Sequence, residues 1–103
     1  GKFSIGVDSN QNYLQPGSVL TSMLKRVDVA VQNALTEAAD DATFKPGLTV
    51  LGLANDGVGY AVDDNNKDLL TPEMLAAAED YKAKIIAGEV TVHDYTTDSA
   101  CPL

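Results

Sequence analysis

The chain has 103 residues, 45% of them hydrophobic, and its seven Lys and Arg residues against fifteen Asp and Glu residues give a formal net charge of -8. This size fits one domain or part of one, and the hydrophobic content excludes a disordered chain. The acidic balance argues against nucleic acid as a partner, because nucleic-acid-binding surfaces need clustered Lys and Arg side chains. No apolar run approaches the roughly 18 residues of a membrane-spanning helix.

The amino terminus leads directly into a strand pattern. The chain opens on Gly-Lys-Phe, and no signal peptide precedes the apolar run of residues 3–7. We therefore expect that the natural amino terminus lies upstream. Residues 3–7 predict a buried strand, and residues 9–18, with their Asn, Pro and Gly content, predict a loop.

The next apolar run, residues 19–24, could be a strand or the first turns of a helix. We favour a strand because a clean helical stripe begins just after it. The helix is expected from Val27 to about Asp40, where the segment Phe44-Lys45-Pro46-Gly47 breaks it. The stripe consists of Val27, Val31, Ala34, Leu35 and Ala38.

The middle of the chain predicts a hairpin or strand pair. Residues 48–53 are apolar, Asn55-Asp56-Gly57 is a strong turn sequence, and residues 58–62 alternate as a strand does. Residues 63–68 are polar and predict a loop.

A second helix has clear ends, with Thr71 as its N-cap, Pro72 at its first position and Gly88 as its stop. Residues 90–92 predict a last short strand. The resulting order, β-β-α-β-β-α-β, predicts an α/β fold with layered helices and strands. The inward face of this helix is expected to be Met74, Ala78, Tyr81 and Ile85.

The best candidate site lies just past the first strand. Asp8 is delivered at the carboxyl end of that strand, and Asn10 and Gln11 follow at once. Lys25 ends the second apolar run. Ligands of open α/β sheets bind in the crevice outside the carboxyl ends of strands, where an acid can accept hydrogen bonds from vicinal sugar hydroxyls. These residue types suit a small polyhydroxylated ligand.

Each candidate also has a plainer interpretation. Asp8 could cap its own loop through the backbone, as Asp commonly does. Lys25 could be a surface lysine whose ammonium reaches solvent at a strand end. Asn10 and Gln11 offer the donors and acceptors that a base or sugar needs, but they are also ordinary loop residues.

The other motifs do not indicate catalysis. Gly57-Val58-Gly59 lacks the third glycine, the following helix and the Lys-Ser pair of a phosphate-binding loop. Neither Ser9 nor Ser22 stands in a nucleophile-elbow sequence.

Metal chemistry is not indicated either. His93 is the single histidine, and no further ligands stand at metal-site spacing. The acid pairs Asp40-Asp41 and Asp63-Asp64 are expected to be solvated loop charge. The single cysteine, Cys101, excludes an intrachain disulfide and leaves the redox compartment open. We therefore expect a protein that is not an enzyme and needs no cofactor.

Several blocks in order resemble the basic membrane protein family, the substrate-binding lipoproteins of ABC transporters. The first two are residues 5–11, Ile-Gly-Val-Asp-Ser-Asn-Gln, and residues 19–31. Residues 44–47, 57–60 and 70–74 continue the likeness in the same order.

The resemblance implies a type I periplasmic-binding fold of two α/β lobes, with the ligand clamped between them. Several family members bind purine nucleosides. Residues 1–95 would be the carboxyl-terminal portion of such a domain, and residues 96–103 a polar tail. Asp8 would bind the ribose hydroxyls and Lys25, at a crossover between the lobes, would reach the ligand.

The resemblance also implies partners and a location. The family's amino-terminal lobe and its lipid-anchoring cysteine are outside this chain, so we expect its uncovered faces to meet that lobe, a second copy or rearranged packing. A membrane permease would receive the ligand at the periplasmic or cell-surface side. A sensory or regulatory ligand-binding module of the same fold is the alternative. An enzyme using Asp8 as a strand-end acid is disfavoured because no companion acid pair is present.

Overall fold

The computed structural model describes residues 1–40 and 44–101. Short strands alternate with helices along this part of the chain. One 3-10 turn, Asn12–Leu14, follows the first strand, and another, Leu53–Asn55, precedes the third. The strands and α-helices are β1 (Ser4–Gly6), β2 (Val19–Lys25), α1 (Val27–Ala38), β3 (Val58–Tyr60), α2 (Pro72–Ile86) and α3 (Tyr95–Asp98).

The three strands form one sheet in the order β1-β2-β3. β1 runs parallel to β2, and β2 runs antiparallel to β3, with Met23 opposite Tyr60 and Lys25 opposite Val58. Because β1 and β2 are parallel, their carboxyl ends meet at the same edge of the sheet. This edge carries both Asp8 and Lys25. The α/β fold class expected from the sequence is confirmed.

The expected hairpin between residues 48–53 and 58–62 is wrong. Residues 48–52 form no strand, and Leu48 is 95% exposed. The turn itself is present, with Asp56 in the left-handed conformation and the amide of Gly57 bonded to the carbonyl of Gly52 at 2.8 Å. β3 instead pairs with β2. Strand formation depends on the neighbours that a segment packs against, which the local sequence does not specify.

The expected strand at residues 90–92 is also wrong, since these residues have no regular structure. The short helix α3 begins at Tyr95 and continues into the polar tail, and its N-cap Asp94 accepts a hydrogen bond from the amide of Thr96. This cap satisfies one of the amides at the start of the helix that have no partner within it. Pro102 and Leu103 of the tail, and Asp41 of the first acid pair, lie outside the described residues.

Both long helices lie where the sequence predicts them. The Thr71 hydroxyl accepts a hydrogen bond from the amide of Met74 and caps α2, with Pro72 at its first position. Gly88 ends the helix with a φ of 77°, a conformation that favours glycine. α1 ends at Ala38, close to the expected end near Asp40.

Burial departs most from the expectations. The buried hydrophobic residues in the described ranges are Val19 and Ala61, and neither α1 nor α2 has a buried residue. β1, expected to be a buried strand, leaves Ile5 62% exposed. In the expected inward face of α2, Tyr81 is 59% exposed. These elements have the apolar patterns of packed elements, but the described chain covers them only in part.

None of the described helices is both long enough and apolar enough to span a bilayer.

Candidate functional site

Asp8 and Lys25 form an ion pair at the shared edge of β1 and β2. The Lys25 ammonium lies 2.8 Å from Oδ1 of Asp8, and the Lys25 amide donates to the Asp8 carbonyl at 2.9 Å. Both side chains are exposed, Lys25 at 60% and Asp8 at 64%. An exposed pair of this kind contributes only about 0–1 kcal/mol to stability, so both groups remain available to a ligand.

The backbone at Asp8 is strained. Its φ is 73°, in the left-handed region, and the amide of Ser9 closes a three-residue turn on the carbonyl of Val7 at 3.0 Å. Asp is one of the few residues with a side chain that tolerates this conformation. Strained residues of this type cluster at ligand sites, where the surrounding structure holds them in place. The turn projects the carboxylate beyond the end of β1.

Asn10 and Gln11 hold the loop that follows. The Gln11 side-chain oxygen accepts a hydrogen bond from the amide of Val7 at 3.1 Å. Nδ2 of Asn10 donates to Asp63 at 2.7 Å, and Oδ1 of Asn10 accepts from the amide of Asn12 at 3.0 Å. Each amide side chain keeps further hydrogen-bonding capacity, because an NH₂ group has two protons and a carbonyl oxygen two lone pairs.

Beneath this loop lies a buried polar cluster. Asn12 and Ser22 are both 0% exposed, and the Ser22 hydroxyl donates to Oδ1 of Asn12 at 2.8 Å while accepting the Gln11 amide at 2.9 Å. Nδ2 of Asn12 donates to Oδ2 of Asp63 at 3.1 Å. In the described residues, every buried side-chain nitrogen or oxygen has a partner. The loop carrying Asp8 is therefore anchored to β2 and to the segment after β3.

Sequence reasoning missed the roles of Ser22, Asp63 and Asn66. Asn66 is 0% exposed, its oxygen accepts the Asp63 amide, and its nitrogen donates to the carbonyls of Leu20 and Ala61 at 2.8 and 2.9 Å. Asp63 was expected to be solvated loop charge, but it accepts hydrogen bonds from Asn10 and Asn12. The run of Asp and Asn at residues 63–66 indicates a turn. It does not reveal a partner some 50 residues earlier in the chain.

These hydrogen bonds set the charge state of Asp63. The side-chain amide of Asn10 holds the pKa of the Asp63 carboxyl below its usual value, and the backbone amide of Asn65 adds to this lowering. Partial burial opposes the lowering but does not cancel it. Asp63 is therefore a stable carboxylate at neutral pH.

The close contact between β1 and this cluster explains why position 6 is a glycine. A Cβ atom at this position would lie 2.5 Å from the Ser22 hydroxyl oxygen and 2.9 Å from Cβ of Gln11. Only glycine lets β1 approach the polar cluster this closely. The last residue of β1 thus helps to fix the loop that begins at Asp8.

A separate groove of about 490 Å³ lies between β3 and α2. Its walls are mainly apolar, and the Tyr60 hydroxyl in it donates to Glu79 at 2.7 Å. That hydrogen bond, with burial, raises the pKa of Tyr60. The groove does not include Asp8 or Lys25, so it is distinct from the polar edge. We take the edge as the candidate site because its charged groups are exposed and its backbone is strained.

Within the described ranges, no group of three or more His, Cys, Asp or Glu side chains could hold a metal ion. His93 instead contacts the carbonyl of Ala100 at 2.8 Å and lies 3.3 Å from Asp98. Cys101 is exposed.

Residues 1–96 of the chain match the family of PnrA-like substrate-binding proteins of ABC transporters. The chain is 29% identical over 92 residues to basic membrane protein C of Borreliella burgdorferi, covering 89% of this chain and 26% of that protein. It is 42% identical over 57 residues to a protein of Pyrococcus abyssi named as a lipoprotein, covering 55% of this chain and 14% of that protein.

A solved structure agrees with the family match. The solute-binding protein of an ABC transporter system from Aeropyrum pernix has a TM-score of 0.60 and 30% sequence identity, covering 92% of this chain and 34% of that one. The chain therefore belongs to the PnrA-like family of ABC transporter substrate-binding proteins, with a periplasmic-binding-protein fold.

Family membership confirms two expectations from the sequence. The resemblance to the basic membrane proteins is confirmed, and the family's function is binding rather than catalysis. The chain spans about a quarter of the length of basic membrane protein C and about a third of the solved solute-binding protein.

Proposed function

We propose that this chain is part of the extracytoplasmic solute-binding component of an ABC importer, and that Asp8 and Lys25 form one wall of its ligand site. The ligand would be a purine nucleoside or a similar small polar molecule. The observation that carries this proposal is the exposed, paired carboxylate and ammonium at the shared carboxyl end of two parallel strands.

The chemistry of the edge suits a sugar. The Asp8 carboxylate accepts hydrogen bonds from two vicinal hydroxyls, and the Lys25 ammonium donates to a ligand oxygen or ring nitrogen. Asn10 and Gln11 stand beside this pair and use their remaining donors and acceptors on the ligand. Because Asp8 and Lys25 neutralise each other at 2.8 Å, an uncharged ligand with many hydroxyls can enter without leaving a charge unpaired.

The apolar faces left open by this chain suit a second lobe. Ile5 on β1 and Leu35 on α1 are 62% and 67% exposed, and large exposed apolar patches mark interaction surfaces. The relatives are longer than this chain. In our proposal an amino-terminal lobe covers these faces and closes over the ligand; a second copy of the chain is the alternative partner.

The remaining partners follow from the family. A membrane permease would receive the ligand, and a lipid anchor in the amino-terminal region would hold the protein at the periplasmic or cell surface. The relative from Pyrococcus abyssi that is named as a lipoprotein supports the anchor.

Calorimetric titration of the intact binding protein with adenosine, guanosine, inosine and the free bases tests the proposal. At least one nucleoside should bind more tightly than its free base, because Asp8 acts on the sugar. Asp8→Ala should weaken that binding by about 1.5–3 kcal/mol, the contribution of hydrogen bonds to a charged group.

Asp64→Ala is the matched control, because Asp64 is an exposed acid paired with Lys67 and lies outside the site. It should leave binding unchanged. Nucleoside affinity that survives Asp8→Ala would refute the assignment of Asp8, and the absence of any nucleoside binding would refute the ligand class.

A further inference from the structure

The three largest fully buried side chains in the described residues are all polar: Asn12, Asn66 and Ser22. Burying polar groups costs free energy unless each is hydrogen-bonded, and a satisfied polar network fixes one arrangement of its parts. In this chain the network lies directly beneath the loop that carries Asp8, whereas the apolar core is limited to Val19 and Ala61. The fully buried side chains of this network therefore support the loop of the candidate site.

Asp63 is the charged member of this network. Its Oδ2 atom accepts from Asn10 at 2.7 Å and from Asn12 at 3.1 Å, while Oδ1 accepts from the amide and side chain of Asn65 at 2.7 and 3.0 Å. Asp63 thus bonds simultaneously to the loop after β1 and to its own turn after β3. Asn66 fixes that turn to β2 through the carbonyl of Leu20.

We propose that Asp63 is a positioning residue for the ligand site, which acts through Asn10 and Asn12 to hold the Asp8 turn in its strained conformation. This inference rests on the proposed function for the role of Asp8. Asp63 does not need to contact the ligand, because its carboxylate is already occupied by donors from the chain. Its effect is to prevent the left-handed turn at Asp8 from relaxing.

The physical basis is the orientation of the donors. Two side-chain NH₂ groups, of Asn10 and Asn12, both point at Oδ2 of Asp63. Changing Asp63 to Asn removes the charge of the acceptor. The new side chain has one oxygen instead of two, and its NH₂ group cannot accept a hydrogen bond from Asn10 or Asn12. Hydrogen bonds to a charged acceptor are roughly twice as strong as neutral ones. The loop then loses its fixed connection to the segment after β3, while Asp8 and Lys25 are chemically unchanged.

The first experiment is a double-mutant cycle in the intact binding protein, titrated with adenosine, guanosine and inosine. Asp63→Asn should weaken binding about tenfold or more, the scale of a lost charged hydrogen bond. In the Asp8→Ala background the same change should weaken binding by a clearly smaller factor, about threefold or less, because Asp8 is gone and only the proposed Asn10 contact still depends on Asp63. Equal loss in both backgrounds would overturn the proposal, since it would indicate a direct or independent role.

Asp64→Asn is the control for the same chemical change one residue later, and it should leave binding unchanged. Asn10→Ala provides a second test, since Asn10 is exposed and its loss removes the bond to Asp63 and the bond from the amide of Asn12. Because Asn10 is also proposed to contact the ligand, weaker binding in this variant supports the proposal only together with faster exchange of the Gln11 amide. This variant should fold and should also weaken binding. Unchanged binding in both Asp63→Asn and Asn10→Ala would overturn the proposal.

Hydrogen exchange in the unliganded protein separates this inference from the identity of the ligand. In Asp63→Asn the amides of Gln11 and Asn12 should exchange about tenfold faster or more, while the amide of Leu75 in α2 keeps its rate. If no nucleoside binds but exchange accelerates at Gln11 and Asn12, the proposed ligand is wrong and the anchoring by Asp63 stands. Unchanged exchange at these amides would overturn the anchoring.

Discussion

The polar edge and helix α1 adjoin each other in sequence, but their side chains are in opposite situations. At the edge, Asn12 and Ser22 are fully buried, and their hydrogen-bonding atoms are paired. On α1, Val31 and Leu35 are 53% and 67% exposed, although they lie on one apolar stripe. The described chain therefore holds the loop of its candidate site with its own hydrogen bonds, whereas much of its hydrophobic surface stays uncovered.

The largest effect should come from the buried network. Asn66→Leu keeps the volume but removes three hydrogen bonds, to the Asp63 amide and to the carbonyls of Leu20 and Ala61. We expect a loss of about 3 kcal/mol in the free energy of unfolding, measured by urea denaturation. Asn65→Ala, which removes only a side-chain bond to Asp63, should cost less than about 1 kcal/mol. Equal stability of the two variants would contradict the importance of the network.

The second prediction concerns the exposed face of α1. Leu35→Ala should cost about 2 kcal/mol in the intact binding protein, where we propose that another lobe covers this residue. Glu37→Ala, at an exposed polar position of the same helix, should stay within about 0.5 kcal/mol in the same protein. Urea denaturation of the two variants gives both values. An effect of Leu35→Ala as small as that of Glu37→Ala would show that the face is not covered.

A smaller effect should come from the contact between β1 and the polar cluster. Gly6→Ala places a Cβ atom 2.5 Å from the Ser22 hydroxyl oxygen and should cost about 1–2 kcal/mol through strain. Gly59→Ala is the matched control, because a Cβ atom there meets nothing within 4 Å. Thermal unfolding should separate the two variants, and a Gly6→Ala variant as stable as the control would show that the close contact is unimportant.

The smallest effect concerns pH. The folded chain lowers the pKa of Asp63 below its ordinary value of 3.8, chiefly through the Asn10 hydrogen bond. The ionised Asp63 carboxylate therefore contributes fully to stability above pH 3.8, and this contribution is lost as the pH falls through the lower pKa that Asp63 has in the folded chain. The stability difference between wild type and Asp63→Asn should shrink between about pH 6 and about pH 2. A difference that is constant over this range would contradict the role of the ionised carboxylate.

Local sequence patterns predicted the elements that depend on local chemistry. The N-cap at Thr71, the first-turn Pro72 and the stop at Gly88 define α2 because each acts within its own turn. The candidate site residues Asp8 and Lys25 were also predicted, since a charged residue at the end of an apolar strand lies at a predictable edge of the sheet. Their direct pairing at 2.8 Å required the parallel register of β1 and β2.

Long-range pairing was not predictable in the same way. β3 pairs with β2 and not with residues 48–53, and no local sequence pattern distinguishes these two possible partners. Asp63 likewise reaches Asn10 across the sheet, so its sequence context of polar loop residues indicated only solvated charge. Burial could not be read from apolar patterns, because those patterns describe faces suited to packing and do not identify what packs on them.

The most direct test of the ligand site is an amide NMR titration of the intact binding protein with adenosine, guanosine and inosine. We predict that the nucleoside that binds shifts the amide signals of residues 8–12 and Lys25 most strongly. The amides lining the β3–α2 groove, such as those of Tyr60 and Ala78, should change little. Shifts concentrated in that groove, with the signals of Asp8 and Lys25 unmoved, would contradict the assignment of the polar edge as the ligand site.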